Sequence, residues 1–301
     1  VYLDGAALPT SIMYGAPTDM WDIAQVEILR GPQSTLQGLN TLAGAVVIRS
    51  NDPGNEWNGR VRAYGTDEDD YIYSFAAGGP VNDDVGVRLA AEYRDSEGFI
   101  RNITRGEPEN PLESTNVRGV LTWRPSSLPD LRARLSVTHF EREGGYSFMY
   151  TDTKVPDFYD RRTNPSDVPN TGDVDIDLAN LELGYEFSDT LRLSSTTSVN
   201  TATEQTTYDG DYTAASIGFG GQGRDYDTWS QELRLTYDAE RLSGLLGTYY
   251  YQRDQVFTND SLTNVPTPVD VIAGLLQANG FDAATASMVA NLYGTALPAI
   301  P

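Results

Sequence analysis

The sequence predicts a mainly β chain that forms part of an antiparallel transmembrane β-barrel, preceded by part of a small α+β domain. Three observations support this fold class. From about residue 57, apolar and polar side chains alternate in runs of roughly eight to eleven residues, about the length of a tilted strand that crosses a bilayer. The connections between these runs alternate between short and long. No run approaches the roughly 20 apolar residues that a transmembrane helix needs.

Composition excludes several classes of protein. The chain has 301 residues, with 43 acidic against 21 basic side chains and a formal charge of −22, which argues against a nucleic-acid binder. A hydrophobic share of 39% is too low for a helical membrane protein. The absence of cysteine excludes disulfides and thiolate metal ligands, and the single His139 excludes a multi-histidine metal centre. The sequence therefore predicts no metal site and no cofactor.

The first 55 residues have a different pattern from the rest. Short strands are predicted at residues 1–3, 25–29 and 45–49, and Asp4-Gly5 predicts a tight turn after the first. Asp19 and Ser34 are suited to capping brief helical turns. This segment is too small to make a large core by itself.

About nine strands are predicted in the second part of the chain, and each alternates with a period of two residues. One face carries apolar side chains such as Leu121 and Leu135, and the other carries charged ones such as Arg118 and Arg134. In a soluble sandwich the apolar face is the core, whereas in a membrane barrel it meets lipid, so alternation alone leaves both open. The predicted strands cover residues 57–63, 72–79, 85–93, 116–123, 131–137, 180–187, 191–202, 229–237 and 244–253.

The lengths of the connections favour the membrane barrel. Residues 94–115, 143–176 and 204–228 form long connections, and each is followed along the chain by a short turn. All long connections then lie on one side of the sheet, as in outer-membrane barrels, and aromatic residues at strand ends fit interfacial girdles. The long connections also carry most of the acidic excess. Either this excess solvates exposed loops, or it attracts divalent cations to a pore mouth.

A sequence motif near the start of the chain points to a family. Residues 26–38 read VEILRGPQSTLQG and residues 40–48 read NTLAGAVVI. Together they resemble the plug-domain signature of TonB-dependent outer-membrane receptors, and residues 1–5 and 230–235 resemble other strands of that family. The resemblance implies a plug inside a roughly 22-stranded barrel. It also implies a location in the outer membrane of a Gram-negative bacterium.

On this resemblance the chain is expected to be a fragment with three parts. Residues 1–55 are the C-terminal half of the plug, residues 56–253 are the first nine barrel strands, and residues 254–301 are a long extracellular loop. Within that loop, apolar residues recur at helical spacing over residues 269–299, which predicts two short helices separated at Gly280. The resemblance also implies that the segment that contacts TonB lies outside this fragment.

The plug motif supplies the first candidate site. The resemblance implies that Arg30, with Glu27, takes part in a buried lock between plug and barrel wall, because a buried guanidinium requires carboxylate partners. A local ion pair within the plug is the alternative. Four further residues of the motif are expected to shape the backbone through turns, a fixed φ and close strand approach. These are Gly31, Pro32, Gly38 and Gly44.

The second candidate site lies in the long connections. Aromatic side chains next to arginines suit flat, anionic metal chelates through stacking and cation–π contact, although ordinary loop packing is the alternative. His139 is expected at the membrane interface rather than in a catalytic triad, because no nucleophile motif accompanies it. The candidate ligand-binding residues are Tyr146, Phe148, Tyr150, Tyr159, Arg161, Arg162, Tyr208 and Tyr212.

These observations predict a transporter and no catalytic residues. The protein would bind a scarce nutrient outside the cell, a ferric siderophore, and import it with energy transduced by TonB. Its expected partners are the TonB complex, the metal chelate and outer-membrane lipid, and nucleic acid is not one of them. Two alternatives remain: a passive porin, and a soluble extracellular β-protein that binds or cleaves carbohydrate with its many carboxylates.

Overall fold

The computed structural model describes residues 1–8, 21–31, 44–145, 154, 157, 160, 162–297 and 299–300. Its main element is a nine-stranded antiparallel sheet in which every strand pairs with its neighbours in chain order. We call this the wall sheet. Its strands are β5 (Asn58–Gly65), β6 (Asp70–Pro80), β7 (Val85–Ser96), β9 (Leu112–Trp123), β10 (Leu131–Gly144), β12 (Thr171–Ser188), β13 (Leu191–Asp209), β14 (Gly218–Ala239) and β15 (Leu242–Thr263).

The predicted fold class is confirmed, but several strands are longer than the sequence predicts. Strands β14 and β15 each have 22 residues, far more than the roughly 9–11 that cross a bilayer. They extend on the side of the long connections, so much of the predicted loop 204–228 is in fact paired strand. The ninth strand also continues past residue 253 to Thr263.

A second, smaller sheet packs against the wall, and we call it the plug sheet. It contains β1 (Tyr2–Leu3), β2 (Ala6–Ala7), β3 (Ile23–Arg30) and β4 (Gly44–Ser50), in the order β2-β1-β4-β3. Strand β1 is parallel to β4, and the other pairs are antiparallel. A small apolar cluster joins the two sheets, because Leu3, Leu8 and Ile48 of the plug pack with Leu178 of the wall.

The two faces of the wall sheet have the polarity of a membrane barrel. On β10, Arg134, Ser136 and Thr138 face the plug sheet and are 5%, 1% and 2% exposed. The intervening Leu135 and Val137 face outward and are 38% and 48% exposed. A soluble sandwich has the opposite arrangement, with its apolar face in the core. The structure therefore removes the soluble β-protein alternative.

Both helices predicted near the end of the chain are present. They span Val269–Ala278 and Ala283–Ala296, and Gly280, with a φ of +95°, separates them. Asp282 caps the second helix by accepting a hydrogen bond from the Thr285 backbone N–H, and bonds from Thr285 lower the pKa of its carboxyl. The helices cross closely, since a Cβ on Gly294 would lie 2.7 Å from a methyl of Val269.

Neither helix is long and apolar enough to span a membrane. The remaining strands of the described residues are four very short ones. Two of them, β8 (Arg101–Asn102) and β11 (Thr163–Asn164), pair in parallel between the long connections, and β16 (Val265–Pro266) pairs with β17 (Ala299–Ile300) beside the helices.

Candidate functional site

The strongest contact between plug and wall is made by Asp22, in the turn just before β3. Its carboxylate accepts two hydrogen bonds from Arg88 of β7, from Nε at 2.7 Å and from Nη2 at 2.5 Å. Arg60 of β5 and Asn51 each donate to Oδ1 at 3.0 Å. Asp22 and Arg88 are only 2% and 8% exposed, so this is a buried, bidentate ion pair.

The electrostatics of Asp22 favour its charged form. Burial alone would raise the pKa of this carboxyl, but the hydrogen bond and charge of Arg88, with Asn51 and Arg60, outweigh it. The net result is a pKa below the usual 3.8. Asp22 is therefore a carboxylate at neutral pH, and its attraction for the wall is at full strength there.

A second plug carboxylate, Asp4, contacts the middle of the wall sheet. Arg134 of β10 donates to Asp4 at 3.1 Å, to Asp52 at 2.6 Å and to Glu182 of β12 at 3.1 Å. Arg49 of the plug sheet also reaches Glu182 at 3.2 Å. Arg134 is thus surrounded by three carboxylates, two from the N-terminal segment and one from the wall.

The backbone of both plug carboxylates is unusual. Asp4 has a φ of +49° and Asp22 a φ of +56°, in the left-handed region that Asp tolerates better than most side chains. Each residue lies in a tight turn that directs its carboxylate into the wall. Local strain of this kind persists where surrounding contacts fix it. Here those contacts are the wall arginines, together with Ser50 for Asp4 and Asn51 for Asp22.

Trp21 adds an aromatic contact next to Asp22. The guanidinium groups of Arg60 and Arg62 lie over its ring, 4.5 and 4.9 Å from the centroid. Its indole N–H donates to the backbone carbonyl of Phe75 at 2.9 Å. Trp21 and Asp22 together connect the plug to three neighbouring wall strands, β5, β6 and β7.

The residues that the sequence motif nominated for the lock occupy a different place. Glu27 and Arg30 lie on β3, the edge strand of the plug sheet, where both are exposed. The carboxylate of Glu27 accepts a hydrogen bond from Gln25 at 2.7 Å. Among the described residues, ion pairs join the wall to Asp4, Asp22, Arg49 and Asp52 of the N-terminal segment. The lock at Glu27 and Arg30 therefore stays a prediction.

Two of the four backbone residues of the motif are described. Gly31 follows β3 with a φ of +81°, and Gly44 begins β4 with a φ of +139°. A Cβ on Gly44 would lie 2.3 Å from the carbonyl oxygen of Leu29, so only glycine allows the strands to approach this closely. Pro32 and Gly38 lie outside the described residues.

Only part of the predicted ligand-binding set can be placed. The guanidinium of Arg162 lies 4.6 Å from the ring centroid of Phe99, which joins two long connections. Tyr208 is near the outer end of β13, and Tyr212 follows in the turn with a φ of +56°. Tyr146, Phe148, Tyr150, Tyr159 and Arg161 lie outside the described residues.

A buried polar network holds three of the long connections together, and the sequence gave no indication of it. At its centre Glu109, 2% exposed, accepts hydrogen bonds from Asn102 at 2.7 Å, Asn170 at 2.6 Å and Arg105 at 2.7 Å. Asn170 in turn accepts from the backbone N–H of Asp209, where β13 ends. A network satisfied in this way makes the outer end of the sheet a rigid scaffold.

The cavities of the protein distinguish its two sides. A groove of about 490 Å³ lies on the outer, lipid-facing side of the wall, between Val137, Ala179 and Trp229. A cavity of about 360 Å³ lies instead between plug and wall, beside Arg134 and Glu182. We regard the second as the relevant one, because only it adjoins the charged contacts just described.

Comparison with known proteins identifies this arrangement. No family model matches the chain. Ferrioxamine B receptors from two Salmonella typhimurium strains, SL1344 and LT2, are each 28% identical over 189 and 190 residues, or 54% of this chain and 26% of each receptor. The ferric yersiniabactin uptake receptor FyuA from Yersinia pestis has a TM-score of 0.76 at 17% identity, over 87% of this chain and 40% of the receptor.

Two further solved structures agree. The receptor FpvA from Pseudomonas aeruginosa has a TM-score of 0.67 at 17% identity, over 88% of this chain and 37% of that one. The ferric-catecholate import receptor Fiu from E. coli K12 has a TM-score of 0.64 at 14% identity, over 88% and 43%. The chain has the fold of the TonB-dependent siderophore receptors.

This likeness confirms the predicted fold, and the relatives are outer-membrane siderophore receptors, in agreement with the predicted location. The proteins matched are receptors and not enzymes, in agreement with the absence of a predicted catalytic site. The chain spans less than half the length of each of these relatives, between 26% and 43%.

Proposed function

We propose that this chain is part of an outer-membrane receptor that binds a ferric siderophore outside the cell and imports it with energy from TonB. The observation that carries the proposal is the position of the plug sheet. It packs on the polar face of the wall sheet, and the apolar face of the wall sheet points outward. Buried ion pairs at Asp22 and Asp4 hold it there. A passive porin needs an open aqueous lumen, whereas here a folded sheet covers the polar face.

The contacts between plug and wall suit a plug that has to be displaced. Most are ion pairs and hydrogen bonds, and the apolar cluster at Leu178 is small. A buried ion pair fixes geometry but adds modest net stability, because desolvation offsets most of the Coulomb gain. In this proposal Asp22–Arg88 and Asp4–Arg134 are the main lock. Glu27 and Arg30 form a further contact of the full receptor, supported by the motif resemblance.

The ligand would be held at the outer ends of the strands. The rigid network around Glu109 supports the connections that carry Phe99 and Arg162, and Tyr208 and Tyr212 lie on the neighbouring connection. Aromatic faces and a guanidinium attract flat, anionic chelates. The similarity to receptors for ferrioxamine B and ferric yersiniabactin supports a ferric siderophore as the class of ligand.

Uptake of iron tests this function directly. A strain lacking the receptor is complemented with the full-length gene, and accumulation of radiolabelled iron is measured with a panel of ferric hydroxamate and catecholate siderophores. We expect uptake of at least one chelate, lost in the absence of TonB and after addition of a protonophore. Uptake that survives both treatments would indicate passive diffusion and overturn the proposal.

Arg162 provides a residue-level test of the ligand site. In this proposal Arg162→Ala removes the guanidinium that contacts the anionic chelate. A hydrogen bond to a charged group is worth about 1.5–3 kcal/mol, so we expect ligand affinity to fall by roughly 10- to 150-fold. Arg192→Ala is the matched control, because Arg192 lies at the opposite end of the sheet and its side chain is 65% exposed. Equal affinities of both variants for the chelate would remove Arg162 from the site.

A further inference from the structure

A cluster of metal-ligating side chains lies outside the lumen, on the outer face of the wall sheet. His139 of β10 lies directly opposite Asp177 of β12, and the next pair outward along the same two strands is Glu141 with Asp175. Because side chains alternate between faces and paired residues share a face, all four point outward. The pairing register therefore brings the single histidine of the chain beside two aspartates.

The geometry of this cluster is close to that of a metal site. One ligand atom from each of His139, Asp175 and Asp177 lies within 4.8 Å of the other two. His139 Nδ1 is 2.9 Å from Asp177 Oδ1. Tetrahedral zinc, with ligands at about 2.0–2.1 Å, needs neighbouring ligand atoms roughly 3.3–3.4 Å apart. Side-chain rotations that bring the ligand atoms closer by about 1.5 Å or less would complete the site without moving either strand.

The charge pattern of the wall supports a bound cation here. On the nine wall strands, all of whose residues are described, every arginine lies on the inner face. Within these nine strands, therefore, no arginine shares the face of Asp175 and Asp177, and His139 is the one basic side chain that does. A divalent ion would balance this negative charge, which the inward-pointing arginines do not.

We propose that His139, Asp175 and Asp177 bind one divalent transition-metal ion of the zinc class on the outer wall. An imidazole with two carboxylates selects such an ion over Mg²⁺, which prefers oxygen ligands and retains its water. The neighbouring pair toward the short turns is Val137 with Ala179, so the site begins where the apolar belt ends, on the side of the long connections. Its fourth position faces the lipid headgroups and takes an oxygen from water or from a lipid phosphate.

Metal titration of the full-length receptor tests this proposal. The metal-free protein, in a maltoside detergent that contains no phosphate, is titrated with Co²⁺ and followed by its visible absorption, and Zn²⁺ is then added in competition. We expect one Co²⁺ per chain, displaced by Zn²⁺ and not by a large excess of Mg²⁺. His139→Ala and Asp177→Asn should each weaken binding by at least about tenfold.

Asp227→Asn is the matched control, because Asp227 is an outward-facing carboxylate opposite Asp254 with no histidine beside it. It should bind Co²⁺ like the parent protein, and heat-modifiable gel migration verifies that each variant is folded. A ratio of parent to His139→Ala affinity for Co²⁺ that is larger in vesicles containing a phosphomonoester lipid than in detergent would assign the fourth ligand to phosphate. An unchanged ratio would assign it to water.

Two results would overturn the proposal: no saturable Co²⁺ binding by the parent receptor, or a folded His139→Ala variant that binds Co²⁺ as tightly as the parent. Neither measurement depends on iron uptake, so failure of the metal site and failure of the proposed transport function are distinguishable.

Discussion

Removal of Arg88 is the most direct test of how the plug is held. Arg88→Met leaves the Asp22 carboxylate, 2% exposed, without its bidentate partner. Breaking a buried pair in this way costs about 3–5 kcal/mol, because the remaining charge is buried and uncompensated. Arg60 still lies 3.0 Å away but its side chain is 48% exposed, so we expect a value near the lower end, about 3 kcal/mol. Undocking the plug returns Asp22 to water, so this cost falls on the docked state.

Native-state hydrogen exchange of the full-length receptor measures the effect. A loss of about 3 kcal/mol corresponds to a roughly 150-fold faster exchange of the β4 amides through plug opening. Asp22→Asn combined with Arg88→Met removes both charges and should be less destabilising than Arg88→Met alone. The matched control is Arg192→Met, whose partner Glu186 is 3.8 Å away at an exposed site, with an expected change below about 0.5 kcal/mol.

The dependence on pH has a defined sign. Because the pKa of Asp22 is lowered from 3.8 in the folded protein, its stabilisation is complete above pH 3.8 and is lost as the pH falls through the lower, folded pKa. The parent receptor should therefore keep its protection of β4 at pH 5 and lose part of it below 3.8. In Arg88→Met, acid should instead reduce the penalty, because protonation neutralises the unpaired carboxyl. Exchange in Arg88→Met that matches the parent within a factor of three would refute the lock.

Three further predictions concern other parts of the protein. Gly98→Ala should destabilise the outer connections by more than about 1 kcal/mol in thermal unfolding, since a Cβ at a φ of +82° would lie 2.4 Å from a backbone carbonyl oxygen. Its control is Gly106→Ala, at a φ of +79° with nothing within 4 Å, which should cost only about 1 kcal/mol. Glu109→Gln should weaken the buried network by about 1–3 kcal/mol and accelerate proteolysis of the connections, which a gel time course would detect. Tyr2→Phe should flatten the alkaline loss of stability above pH 10, because burial raises the pKa of the Tyr2 phenol to about 12.

The sequence predicts the membrane part of the sheet well and the part above it poorly, for a physical reason. Within the bilayer each strand has a polar face toward the lumen and an apolar face toward lipid. Polar and apolar side chains therefore alternate clearly, as at Arg134 and Leu135. Beyond the bilayer the outer face meets water instead of lipid, so the pattern typical of a membrane strand is lost although backbone pairing continues. On β12 the polarity is reversed, because Asp173, Asp175 and Asp177 face outward while Val174, Ile176 and Leu178 are buried on the inner face. Gly220, Gly221 and Gly223 of β14 resemble a loop in sequence, yet each pairs with β15.

The site is less predictable because it depends on which residues meet. Arg88 and Arg134 are visible in the sequence as lumen-facing charges, but nothing local indicates that Asp22 and Asp4 are their partners. The motif indicated Arg30, whereas the plug carboxylates Asp22 and Asp4 lie in turns outside the motif. Their left-handed backbone is the one signal available, and Asp4 before Gly5 is where a sequence pattern does indicate it.

The charged side chains of the wall sheet are distributed according to what each part of the sheet contacts: the plug, lipid or water. Every wall arginine points inward, where the plug supplies carboxylates such as Asp22 and Asp4. The outer face carries apolar side chains at the level of the bilayer and carboxylates only beyond it. A cationic wall inside and an anionic rim outside would orient an acidic plug toward the lumen during folding, because the wrong face offers it no partner. The ion pairs therefore specify where the plug sits, while their small net free energy leaves it displaceable.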